Sequence, residues 1–263
     1  MPHGGRFFLE QTLPRHCHRV RQKIMKILKI LFKPETAAPM LALVFASVVS
    51  VALVVARIVG TDQLRYGFLI WNLFLAWLPL IFALLARELY QSGDRRKWLF
   101  ASLAGAWLLF FPNAPYIFTD VIHLLYGTFQ HFWVDLTLIL LCALTGLVLG
   151  FVSLYLMQSV VTRMLGRTAS WVFIAGVAGL SGFGIYLGRF LRFNSWDVIL
   201  KPMKLYHGIG NWAADPFANH MTFTFPAMFA TFLFIAYVML YALTHLPQMH
   251  LTASPDLANP VKA

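Results

Sequence analysis

Trp107-Leu108-Leu109-Phe110-Phe111-Pro112-Asn113-Ala114-Pro115-Tyr116-Ile117-Phe118-Thr119-Asp120 starts as an apolar helix and is then interrupted by two prolines and an asparagine. Each proline removes a backbone donor and clashes with the preceding turn, which predicts a kink or stop at Pro112. Backbone groups freed inside a bilayer are tolerated only where protein or a water-filled cavity satisfies them. Together with Trp133-Val134-Asp135 beyond the next loop, the stretch therefore reads as the floor of a polar pocket at one membrane face.

The rest of the chain supports a membrane setting. It has 263 residues, 59% of them hydrophobic and 12% charged, with a mean hydropathy of +0.69. Soluble domains carry about 25% charged residues, so the composition is that of an integral membrane protein. Six apolar runs occur at about 40–60, 67–86, 98–118, 134–158, 170–188 and 222–245. Runs of about 20 residues are long enough to cross roughly 30 Å of hydrocarbon as helices. The expected fold is all-α, a polytopic transmembrane helical bundle over residues 40–245. Flanking it are a basic tail (1–39) and a short C-terminal tail (246–263).

In the basic tail, Arg15, Arg19, Arg21, Lys23, Lys26, Lys29 and Lys33 alternate with Val20, Ile24, Ile27, Leu28 and Leu31. The apolar members recur at helical spacing, as expected of an amphipathic segment lying on an anionic leaflet of membrane lipids. The net charge of +11 has no nucleic-acid recognition module beside it, so the basic residues read as orientation signals. Of the Lys and Arg residues, fifteen fall on the side of the two termini and six on the other. Positive-inside logic then places both termini in the cytoplasm.

This topology brings unusual polar groups to one side. The second span starts there with Asn72, and the third ends there with Asn113, Tyr116, Thr119 and Asp120. The fourth starts there with Asp135, and the fifth ends there at Gly188-Arg189-Phe190-Leu191-Arg192-Phe193-Asn194-Ser195-Trp196-Asp197. Ionisable groups in apolar spans are costly and face a bundle interior or a cavity. A helix extended past Gly188 would place Arg189 and Arg192 on one face. Their guanidinium groups then either pair with Asp120, Asp135 or Asp197, or hold an anion bidentately. Binding candidates are thus Asn72, Asn113, Tyr116, Asp120, Asp135, Arg189, Arg192, Asn194 and Asp197, with Asp120 and Asp135 as candidate general bases.

His123, His131, His207 and His220 join Asp120 and Asp135 on that side, but without compact metal-ligand spacing, so no metal site is assigned. No phosphate loop, dinucleotide fingerprint, nucleophile elbow or Cys-x-x-Cys pair is present, and the sequence names no cofactor. Gly146-x-x-x-Gly150 and Gly184-x-x-x-Gly188 permit close helix approach and suggest that spans four and five touch.

At these residues the chain resembles a bacterial family of multi-pass membrane proteins catalogued as domain of unknown function 1361. The resemblance rests on Trp71-Asn72 with Trp77-Leu78-Pro79, on Phe111-Pro112-Asn113-Ala114-Pro115-Tyr116 with Thr119-Asp120, on Trp133-Val134-Asp135, and on Gly188-Arg189-Phe190 leading to Asn194-Ser195-Trp196-Asp197. It covers about residues 67–240 and implies several membrane helices but no activity. The functional expectation is an outer-face pocket that recognises a lipid headgroup or other anionic envelope compound. Two alternatives stay open: a transferase or hydrolase acting on a lipid-linked substrate, and a carrier or membrane assembly subunit.

Overall fold

The computed structural model describes residues 34–61, 64–93, 96–126, 131–214 and 221–245. The basic amphipathic tail, apart from its last residues, and the C-terminal tail lie outside the described residues. Every regular element in the described residues is helical: α1 (Pro34–Thr61), α2 (Phe68–Gln91), α3 (Lys97–Phe110), the one-turn α4 (Asn113–Tyr116), α5 (Phe132–Leu165), α6 (Arg167–Arg189), the one-turn α7 (Asp197–Leu200), α8 (Pro202–Ala214) and α9 (Met221–Thr244). Six stretches of the described residues are long and apolar enough to cross a membrane.

The expected spans correspond to these helices, with shifted ends. The first begins at Pro34 rather than near Met40, and the fourth runs from Phe132 to Leu165 rather than stopping at Gln158. Flanking residues add turns to an apolar helix as long as backbone hydrogen bonds continue, and hydropathy alone does not see them. The connection after the third span is not the open loop that its composition suggests. Ile117–Tyr126 continues as a 3-10 helix.

α5 is the axis of the bundle. In its apolar window 61% is buried, against 17% for the first span and 11% for the last. Polar side chains along it fasten its neighbours. Thr145 Oγ1 lies 3.4 Å from Ser50 Oγ of α1, and Trp107 of α3 donates its indole N–H to Ser153 Oγ at 3.1 Å. Tyr237 of α9 donates to Gln158 Oε1 at 2.5 Å. Lipid offers no hydrophobic drive between helices, so such bonds and close packing must supply the cohesion, at about 0.6–2 kcal/mol each.

Candidate functional site

The site is built on the break in the third span. Phe111 N–H still closes a helical bond to Trp107 O at 2.8 Å, but Pro112 has no donor to continue the ladder. The chain then makes the single turn of α4, with Ala114 N–H on Phe111 O at 3.1 Å and Tyr116 N–H on Pro112 O at 3.0 Å. Asn113 Nδ2 turns back onto Phe110 O at 3.0 Å, so a side-chain amide satisfies a carbonyl at the break.

The glycine pairs make room for this turn. A Cβ at Gly146 would lie 2.8 Å from both Ala114 O and Ile117 Cδ1, and one at Gly150 would lie 3.0 Å from Ala114 Cβ. On α6, a Cβ at Gly184 would meet Pro112 Cγ at 2.9 Å, and one at Gly188 would meet Tyr116 Cε2 at 3.1 Å. α5 and α6 do pack on each other. Their spaced glycines, however, admit the broken third span rather than one another.

The turn carries Thr119 and Asp120 to the last residue of α6. Arg189 Nη2 donates to Asp120 Oδ1 at 2.5 Å, and Arg189 Nε donates to Thr119 Oγ1 at 2.9 Å. Nη2 also bonds Thr119 Oγ1. Asn72 Nδ2 of α2 donates to Asp120 Oδ2 at 2.9 Å. The guanidinium carbon stands 4.5 Å from the centre of the Tyr116 ring, a cation–π contact. Asp120 is fully buried. Three spans are thus tied by one carboxylate, with both oxygens engaged.

Beside this cluster lies a cavity of about 710 Å³. Its polar lining includes Asn72, Asn113, Tyr116, Asp120, His123, Arg189, Arg192, Asn194 and Ser195, with Phe68, Trp71 and Phe193 among them. Asn113 Nδ2 also donates to Ser195 Oγ at 2.9 Å, which fastens the segment after α6 to the break. His123 Nδ1 is 3.0 Å from Asp120 O. Among the described residues, no group of three or more His, Cys, Asp or Glu side chains is close enough to hold a metal ion.

Two candidates sit elsewhere than their spacing suggests. α6 ends at Arg189, and Arg192 adopts φ +56°, so the two arginines do not share a continuing helical face. Both line the cavity all the same. Arg192 is exposed and makes no hydrogen bond or ion pair among the described residues. Asp135 is not part of the cavity lining. It accepts Arg57 Nε at 2.6 Å, Arg57 Nη2 at 3.2 Å and the Tyr66 hydroxyl at 2.8 Å, and so staples α1 to the start of α5. Arg57 is an arginine within an apolar span, and that intramembrane charge is the signal that could have revealed the staple.

Asp197 is a loop-closing group. Its Oδ2 accepts the Asn194 backbone N–H at 2.8 Å, and its Oδ1 lies 3.4 Å from Lys201 Nζ. The Asn194 N–H first, and Lys201 after it, hold this carboxyl below the usual carboxylate range. A depressed pKa means stability present above the ordinary carboxylate value of about 4 and lost as pH falls through the lowered one. The protection factor of the Asn194 amide, its exchange rate relative to that of an unstructured amide at the same pH, should accordingly fall in acid below about pH 4. Asp197→Ala, which removes the acceptor, should lower that protection already at neutral pH and remove its dependence on acid.

The fold and cavity define a multi-pass helical membrane protein with a cluster of polar groups gathered at one end of its bundle. The family model described as "Protein of unknown function (DUF1361)" matches residues 71–245, and the chain belongs to that family. No curated protein and no solved structure matches the chain. The matched region includes Asn72, the proline break, Asp120, Asp135 and the Arg189–Asp197 segment.

Proposed function

We propose that this chain is a bacterial inner-membrane protein, with both termini cytoplasmic, whose cavity opens on the outer face and binds a lipid headgroup or another anionic envelope compound. The bias of Lys and Arg toward the side of the termini, fifteen against six, supports the orientation. The carrying observation is the balance of charge at the cavity. Asp120 neutralises Arg189, while Arg192 lines the same cavity with no ion-pair partner among the described residues. One cation is therefore left to meet an anion, beside the amide groups of Asn113 and Asn194. A transferase or hydrolase that used Asp120 or Asp135 as its general base would need that carboxylate turned toward the substrate. Both oxygens of Asp120 and both of Asp135 accept bonds instead, which favours binding over chemistry.

The test uses glycerol 3-phosphate as a headgroup probe on sealed membrane vesicles containing the full chain. Right-side-out vesicles should bind it, and inverted ones should not. Arg192→Ala should weaken binding about tenfold or more, since a hydrogen bond to a charged group contributes about 1.5–3 kcal/mol. Unchanged affinity in Arg192→Ala would overturn the anion site. Binding only to inverted vesicles would overturn the orientation.

A further inference from the structure

The cavity does not end at its polar rim. Below the rim it is lined by Gly105, Leu108 and Leu109 of α3 and by Leu180, Phe183 and Leu187 of α6. Each set recurs at three and four residues, so each is one stripe on one helix, and the two stripes face a common groove. Behind the groove, Pro112 meets Gly184, and the buried Trp107 stacks on Phe173 with ring centroids 5.8 Å apart. At its lips Gly105 and Leu180 are exposed. From Arg189 back to Leu180 is about 13 Å along the helix axis at 1.5 Å per residue. That depth is close to one leaflet of a roughly 30 Å hydrocarbon core.

A site for a small soluble anion has no use for an apolar groove of this depth running away from its cation. Lipid-facing helix surface is ordinarily convex, whereas this strip is concave and continuous with the polar rim. Resting on the anion-site reading above, we infer that the ligand is an anionic amphiphile: its charged head lies at Arg192 and its chain lies in the groove between α3 and α6. The exposed lips give such a molecule a lateral route from the bilayer, without passage of its chain through water. Apolar contact along the groove stabilises the chain in proportion to the area it covers.

Gly105 makes the inference testable without damaging the fold. A Cβ built there meets nothing within 4 Å, and so does one at Gly176, which is on α6 outside the cavity lining. Leucine at either position also removes a helix-interior glycine, which favours the helix. Gly105→Leu fills the groove; Gly176→Leu adds the same bulk elsewhere. The full chain, purified in detergent micelles, is titrated with two probes: dioleoyl phosphatidic acid, which has chains, and glycerol 3-phosphate, which has none.

Wild type and Gly176→Leu should bind both probes. Gly105→Leu should bind phosphatidic acid about tenfold more weakly or worse while binding glycerol 3-phosphate as wild type does. Equal phosphatidic acid binding by Gly105→Leu and wild type would overturn the groove and leave the anion site standing. Wild type binding glycerol 3-phosphate alone would do the same. Wild type binding neither probe, or Arg192→Ala binding both unchanged, would remove the anion site and the groove with it.

Discussion

Replacing Asp120 with alanine should cost the protein about 3–5 kcal/mol, the usual penalty for removing one member of a buried ion pair. Asp120 receives the Arg189 guanidinium at 2.5 Å and the Asn72 amide at 2.9 Å, so the substitution strands a cation and a side-chain amide together. Folded proteins are stable by only about 5–15 kcal/mol, which makes this a large fraction of the total. The detergent-purified variant should show a much lower thermal midpoint and poor accumulation in the membrane. Asn72→Leu should cost less, because Asp120 keeps its cationic partner.

The double variant Asp120→Leu, Arg189→Met separates the buried pair from the anion site. Replacing both charges of a buried pair with apolar groups of similar volume is often neutral or stabilising, so the midpoint should recover most of its loss. Glycerol 3-phosphate binding should stay close to that of wild type, since Asp120 and Arg189 leave as a neutral pair and Arg192 still lines the cavity. A double variant as unstable as Asp120→Ala would show that Arg189 is needed for contacts beyond this carboxylate, with the Tyr116 ring the first suspect. Asp120→Ala with an unchanged midpoint would show that water in the cavity replaces the lost partner.

Hydropathy and length carried the architecture, because a span must be long and apolar whatever its neighbours are. The convergence of Asn72, Asp120 and Arg189 was legible for a related reason: alternating topology assigns each span end to a side, and these three fall at ends on the same side. The pairing was not legible. Asp120, Asp135 and Asp197 are equal partners for an arginine in sequence, yet Arg189 takes Asp120, Arg57 takes Asp135, and Asp197 closes its own loop onto Asn194. Helix rotation and register decide such choices, and neither leaves a periodic trace in the chain. Arg192 was misplaced on a helical face because nothing local announces that α6 stops at Arg189. Phe190 still closes a helical bond to Tyr186 O at 2.9 Å before the chain turns away.

The glycines show the same boundary between what a pattern states and what packing adds, and they make the sharpest test of it. Alanine at Gly182 places a Cβ 2.3 Å from Pro226 O and 3.0 Å from Ala230 N, both backbone atoms of α9. Backbone cannot rotate away as a side chain can, so α6 and α9 must separate along their contact. A loss at or above the usual 1–3 kcal/mol of overpacking is expected. Gly146→Ala comes next. Its Cβ meets Ala114 O and Ile117 Cδ1 at 2.8 Å, and only the isoleucine can move cheaply. Because Ala114 lies in the same turn as Asn113, whose amide fastens Ser195 of the segment that carries Arg192, this variant should also weaken glycerol 3-phosphate binding. Gly184→Ala should cost less than either, since its Cβ meets a proline ring that can pucker. Gly176→Ala and Gly179→Ala meet nothing within 4 Å and should gain up to about 1 kcal/mol from helix propensity. Thermal midpoints in one detergent should therefore rise in the order Gly182→Ala, Gly146→Ala, Gly184→Ala, wild type, with Gly176→Ala and Gly179→Ala at or above wild type. Equal midpoints for the Gly182 and Gly176 variants would mean that α6 and α9 do not meet through their backbones, and the packing that holds Arg189 in place would need another origin.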